Sequence, residues 1–232
     1  MTKIIIINDL HGNATALKAV LPKIKELSPD YVFCPGDIIG IGPHSNEVID
    51  LVRTIPNFFA SKGNHECYLL DGFYNKASAF ELSHHAFIKK QISKSNQEFL
   101  KTIPYEQHFT LEGFKICMLH YARDGYHYTP ITKNPTYEDL DALYADIDAD
   151  IIIYGHEHEP SLIKGKRIFI NSGSLGCSNY NPGLAKMVLL TLDNKTHHIE
   201  EYFEPYDVEQ VRQDINNINL PDGEFINRVF IK

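Results

Sequence analysis

Four consecutive isoleucines, Ile4–Ile7, stand almost at the start of the chain. A short β-branched run bounded by polar residues predicts a buried strand rather than a helix. Tyr31–Cys34, Asn57–Ala60 and Ile151–Tyr154 read the same way. Between the first two, Ala16, Leu17, Val20, Leu21, Ile24 and Leu27 have helical spacing and predict a helix over Ala14–Leu27. Further helices are expected over Asn46–Arg53, Ala77–Ile92, Asn96–Lys101 and Tyr137–Tyr144.

The second half carries hairpin signals instead. His108–Leu111 and Lys115–Leu119 flank Glu112-Gly113, Ser161–Lys164 and Arg167–Ile170 flank Gly165, and Leu184–Leu192 and His197–Phe203 flank Asp193-Asn194. Pro221, the acids Asp222 and Glu224, and then Phe225, Ile226, Val229 and Phe230 predict a short C-terminal helix. Strand–helix alternation followed by hairpins predicts mixed sheets with helices outside them. With no repeat or linker, one domain over residues 1–232 is expected.

Composition narrows the function. A net charge of −8, with no basic cluster longer than Lys89-Lys90 or the Lys164–Arg167 turn, argues against extended nucleic acid as a partner. No aliphatic run approaches a membrane span, and with no basic segment followed by an apolar one near Met1 a secretion signal is not expected. Cys34, Cys67, Cys117 and Cys177 form no CxxC pair, which suits free thiols in a reducing cytoplasm.

The histidines carry the chemistry. Five short motifs follow in order, most just past an expected strand: Asp9-Leu10-His11, Gly36-Asp37, Gly63-Asn64-His65-Glu66, His120, and Gly155-His156-Glu157-His158. In extended chain, residues i and i+2 share a side, so Asp9 with His11, and His156 with His158, are each expected to aim two ligand atoms at one site. Carboxylate oxygen with imidazole nitrogen suits divalent Mn, Fe or Zn. Asp37 has two oxygens to share between cations, and Asn64 adds a neutral oxygen. Taken singly, each motif is more often a turn or a solvated loop. Five in this order and context do not fit independent turns. Two divalent cations against Asp9, Asp37 and a hydroxide leave a local charge of about +1, an anion site within an acidic protein.

The set D-x-H, G-D-x-x-G, G-N-H-E, H and G-H-x-H resembles the calcineurin-like metallophosphoesterase superfamily, from Lys3 to about Leu192. Asn8–Asn13 and Gly36–Pro43, with Leu220-Pro221 near the end, are similar to its small bacterial phosphodiesterase branch. The resemblance implies an α/β fold of α+β character, a four-layer αββα sandwich of two mixed sheets. It implies one metal on Asp9, His11, Asp37 and His158, and a second on Asp37, Asn64, His120 and His156. Manganese or iron is expected there, with zinc and magnesium as alternatives. The implied reaction is hydrolysis of a phosphoester, in a small phosphodiester or a nucleotide or dinucleoside polyphosphate, by a hydroxide activated between the metals. His65 would assist the leaving group.

Alternatives are a nuclease or a protein phosphatase of the same superfamily and, from another class, a catalytically weak metal-bound scaffold. The protein phosphatases of the superfamily carry Asp-Arg-Gly and a later Arg where this chain has Gly40-Ile41-Gly42 and Cys67, which demotes that reading. The stretch Tyr121–Tyr128, YARDGYHY, follows His120 directly. Packing of the loop onto the sheet explains it equally well, but Arg123 is expected to meet a phosphate oxygen, and Tyr121 or Tyr126 to stack a nucleobase.

Overall fold

A computed structural model of the chain describes residues 1–72, 77–125, 127–177 and 179–232. The first half runs β1 (Thr2–Ile6), α1 (Ala14–Leu27), β2 (Tyr31–Cys34), α2 (Ser45–Val52), β3 (Phe58–Ala60), α3 (Asn64–Leu70), α4 (Ala79–Gln91) and α5 (Lys94–Thr102). The second half runs β4 (Glu106–Leu111), β5 (Phe114–Leu119), β6 (Arg123–Asp124), β7 (His127–Tyr128), α6 (Tyr137–Leu143), β8 (Ile151–Ile153), β9 (Ser161–Lys164), β10 (Ile168–Asn171), β11 (Leu184–Asp193), β12 (Thr196–Pro205), α7 (Val208–Asn217) and α8 (Gly223–Val229).

Two five-stranded sheets form, ordered β12-β11-β1-β2-β3 and β4-β5-β8-β10-β9. Both are mixed: β1, β2 and β3 pair in parallel while β11 joins β1 antiparallel, and β5, β8 and β10 pair in parallel between antiparallel edges. The period-2 alternation of side chains then generates the layers. Ile4 and Ile6 face the opposite sheet, meeting Ile116, Met118, Ile151 and Ile153. Ile5 and Ile7 face the other way, onto Leu17, Val20 and Ile24 of α1. Across the sandwich, Cys117, Ile152 and Phe169 turn outward onto Leu140 and Tyr144 by α6. The result is an αββα sandwich, and the isoleucine run is apolar throughout because its strand is covered on both faces.

The expected hairpins at Glu112-Gly113, Gly165 and Asp193-Asn194 are all present. Two helices were not anticipated. One is α3, which starts at Asn64 inside a motif read as a loop, with Gly63 as its N-cap. The other is α7, which is mostly polar and buries only Val211 and Ile215. Together with α8 it forms a further apolar cluster, containing Ile41, Cys177, Leu220, Ile226 and Ile231. Among the described residues, no helix is long and apolar enough to cross a membrane.

Candidate metal centre

The five motifs converge where β1, β2, β3, β5 and β8 end. Their backbone is not extended there, which corrects the i, i+2 expectation. Asp9, His11, Asp37, His156 and His158 have φ of 47°, 46°, 50°, 75° and 59°, all left-handed. Such conformations cost of order 1–3 kcal/mol each and persist only when their surroundings hold them. Neighbouring loops do so: the N–H of His11 donates to Asp37 O (2.9 Å), and that of Gly176 donates to Asp9 O (3.0 Å). Paired aiming therefore comes from tight turns locked between loops, not from a pleat.

Asp37 lies at the middle. Its Oδ2 stands 3.9 Å from His11 Nε2 and 3.3 Å from His120 Nε2. On one side His11 Nε2 faces His158 Nε2 at 2.7 Å. On the other, His120 Nε2 lies 2.9 Å from Asn64 Oδ1 and 3.2 Å from His156 Nδ1. Asp9 Oδ2 accepts the His156 backbone N–H (3.2 Å), while its Oδ1 lies 3.8 Å from His120 Nδ1. All seven residues expected as ligands are brought to this one place.

Close packing depends on Gly63, where an added Cβ would sit 2.1 Å from Asp37 Oδ1. Asp37 Oδ1 accepts the N–H of His65 (2.9 Å). The His65 ring lies edge-on to His11, centroids 5.0 Å apart. It fits because position 40 is glycine: with φ of +96°, a Cβ there would come 2.2 Å from His65 Nδ1.

These groups suit divalent cations chemically. Two imidazole nitrogens 2.7 Å apart can share at most one proton, and Asp9 Oδ1, His11 Nδ1 and His120 Nδ1 are buried without a hydrogen-bond partner. Such a cluster is costly unless positive charge completes it. Burial holds His156 near 3, His158 near 4 and His11 well below its ordinary pKa, leaving neutral, ligand-competent imidazoles. Burial also lifts Asp9 to about 8, reinforced by the charge of Asp37. Asp37 resists the same burial because His120 and His65 hold its carboxyl well below the usual range.

Four residues that sequence reasoning left aside also meet here. Glu66, 0 % exposed, accepts backbone N–H bonds from Asp37, Ile39 and Gly63. The Cys177 thiol lies with His11 and His158 in a group whose ligand atoms are all within 4.8 Å. His84 and His85 of α4 line a 180 Å³ cavity that also reaches Asn64 and His65. The spacing of Phe80, Glu81, His84 and His85 at i and i+4 was the signal for one shared helix face.

The YARDGYHY stretch reads differently in three dimensions. Tyr121 is 1 % exposed, packs among Tyr144 and Tyr154, and its hydroxyl accepts the Thr132 N–H (3.1 Å), so it cannot stack a substrate base. Its ring, 5.3 Å from His156, buttresses a candidate ligand instead. Tyr128 stacks on the same histidine (5.6 Å) and donates its hydroxyl to Lys62 O. Arg123 is engaged elsewhere, its guanidinium 3.6 Å from the centre of the Tyr105 ring. Tyr126 lies outside the described residues.

Comparisons with known proteins bear on the family and the fold. A model of the calcineurin-like phosphoesterase superfamily domain matches residues 2–195. An uncharacterized protein of Methanocaldococcus jannaschii is 28% identical over 246 residues, covering 94% of each chain. A hypothetical protein of Pyrococcus horikoshii superposes with a TM-score of 0.84 at 17% identity, over 100% of this chain and 98% of its own. A metallophosphoesterase from Sphaerobacter thermophilus does so with a TM-score of 0.74 at 20% identity, over 98% and 97%.

Proposed function

The chain belongs to the calcineurin-like phosphoesterase superfamily and is a metal-dependent phosphoester hydrolase; from that premise, we propose that it cleaves a small phosphodiester or a nucleotide phosphoanhydride. One observation carries the reading: a single oxygen, Asp37 Oδ2, faces His11 on one side and His120 on the other. In this reading Asp9, His11, Asp37 and His158 hold one cation, and Asp37, Asn64, His120 and His156 hold the other, with manganese or iron favoured by the mixed oxygen and nitrogen set. When bound, the cations supply Lewis acidity toward the phosphoryl oxygens and lower the pKa of a water nucleophile.

The remaining chemistry falls to the protein. His65 is kept neutral by burial, with a pKa near 3, so it helps the leaving oxygen as a hydrogen-bond donor or relays a proton transiently. Asp37 fixes His65 through its backbone N–H, so the bridging residue also aims the catalytic one. Buried walls keep the site low in dielectric and strengthen each of these interactions.

A diester or anhydride is favoured over a phosphomonoester. Ile41 and Cys67 stand where the superfamily's protein phosphatases carry the two arginines expected to grip a terminal dianion. The test is a Mn²⁺-supplemented panel of aryl diesters, cyclic nucleotides, dinucleoside polyphosphates, nucleotides and a phosphoserine peptide. Higher kcat/KM on diesters or anhydrides is expected, and a preference for the phosphopeptide would overturn the reading.

A further inference from the structure

The chain leaves the ligand cluster at His120 and comes back to it at Tyr128. Between these points β6 and β7 pair antiparallel, with Arg123 opposite Tyr128 and Asp124 opposite His127. At the base of the pair the Thr129 N–H donates to Ala122 O (2.9 Å). The Arg123 guanidinium lies on the Tyr105 ring, which ties the pair to the chain just before β4. The stretch is thus anchored away from the site while Tyr128 is delivered into it.

Tyr128 meets three ligand-bearing segments at once. Its ring stacks on His156, with centroids 5.6 Å apart and planes 27° from parallel, and stands edge-on to His120 at 5.3 Å and 84°. Its hydroxyl donates to Lys62 O at 2.6 Å. That carbonyl belongs to the Lys62–Gly63 peptide, whose N–H donates to Glu66 Oε2 (2.8 Å). The peptide immediately before Asn64 is therefore fixed at both of its polar ends. A ring pinned at its hydroxyl and packed on two imidazoles leaves all three segments little freedom to turn. His120, His156 and Asn64 are the residues that share one assigned cation with Asp37. The other position has different neighbours: His11 meets His65 and His158, and His158 meets Phe230 at 6.4 Å.

We propose that Tyr128 is a positioning residue for that one cation, holding His120, His156 and the Asn64 turn in a single arrangement and acting through them rather than on the substrate. The two cation positions are then supported unequally, and changing Tyr128 weakens one of them selectively. A hairpin that merely packed onto the sheet would affect both positions alike, through overall stability. The proposal rests on the ligand assignment above and names the support that distinguishes its two halves.

The test is Mn²⁺ titration of the chelated full chain and of Tyr128→Phe and Tyr128→Leu, followed by calorimetry and by electron paramagnetic resonance of the bound ions. Tyr128→Phe keeps the ring on His156 and removes the hydroxyl bond to Lys62, while Tyr128→Leu removes the ring as well. One Mn²⁺ is expected to bind about 10-fold more weakly in Tyr128→Phe and about 100-fold more weakly in Tyr128→Leu, the span for losing an outer support. The other ion should keep its wild-type affinity. With enough Mn²⁺ to pair the ions in wild type, both variants should show more of the isolated-ion signal and less of the coupled-pair signal. Tyr128→Phe decides the outcome by itself, whatever the second variant does to the fold. Unchanged affinities in Tyr128→Phe, or equal weakening of both ions, overturns the proposal. A wild-type chain that bound no Mn²⁺ would refute the ligand assignment itself, and the proposal with it.

Discussion

Glu66 Oε2 accepts the backbone N–H of Asp37 at 3.1 Å, tying the helix that carries Asn64 and His65 to the residue at the centre of the cluster. The same carboxylate accepts from Ile39 (3.1 Å) and Gly63 (2.8 Å). Glu66→Gln exchanges an acceptor oxygen for an NH₂ that faces backbone donors. Metal affinity is expected to fall by about 10–100-fold, the usual cost of losing an outer support. Titration with Mn²⁺ checks this, and unchanged affinity would remove Glu66 from the architecture of the site.

Gly40 leaves room for His65, so Gly40→Ala is expected to displace that ring while the ligand groups stay in place. Metal content should match wild type, and kcat should fall by about 10²–10⁴, the range for a lost proton-transfer group. His65→Ala should give the same loss. Both losses should be smaller with nitrophenyl esters, whose leaving group scarcely needs a proton. Equal losses on alkyl and aryl esters would limit His65 to electrostatic stabilisation.

Much of this was legible in sequence because the ligands follow strands whose aliphatic runs are unmistakable. Ile4–Ile7, Tyr31–Cys34 and Ile151–Tyr154 put Asp9, Asp37 and His156 just past strand ends, and the family resemblance adds that they share one edge of the sandwich. Helix α3 was hidden because Gly63-Asn64 serves equally as a turn pair and as a helix start. Glu66, the N3 residue reaching back to the Gly63 N–H, was the capping signal. The left-handed turns at Asp9, His11, His156 and His158 could not be read, since they are imposed by backbone bonds between loops distant in sequence. Tyr121 was misassigned for a related reason: a tyrosine next to a ligand is equally able to face the substrate or the core, and burial against Tyr144 and Tyr154 decides it.

Acid should destabilise the metal-free protein in part through His84. Burial holds its folded pKa at about 4, against about 6.5 when unfolded. Between those values the unfolded chain binds the extra proton, so stability falls as pH drops through the window and is unaffected by this group above it. Urea unfolding of the metal-free chain from pH 7 to 4 should show the decline, with a shallower slope for His84→Phe. Identical slopes would mean that His84 is protonated in the folded state too.

Arg167 fastens α6 to the second sheet. Its guanidinium donates to Asp141 Oδ1 (2.8 Å from Nε) and to the carbonyls of Tyr144 (2.9 Å), Ile147 (3.0 Å) and Asp141 (2.9 Å). Arg167→Ala leaves those carbonyls without their donor and is expected to cost about 2–3 kcal/mol in denaturant unfolding, with metal content unchanged. A loss below about 0.5 kcal/mol would place it among ordinary surface ion pairs.

The shared position of Asp37 between two groups of ligands is the central claim, and metal counting by mass spectrometry alongside turnover tests it most directly. The chelated wild-type chain should be inactive and regain activity as it binds about two Mn²⁺ per chain. Asp37→Asn should bind fewer and lose more activity than Asn64→Asp or His158→Ala, because it alone serves both positions. Full activity in a metal-free sample, or an Asp37→Asn chain with two bound cations and near-normal kcat, would contradict it.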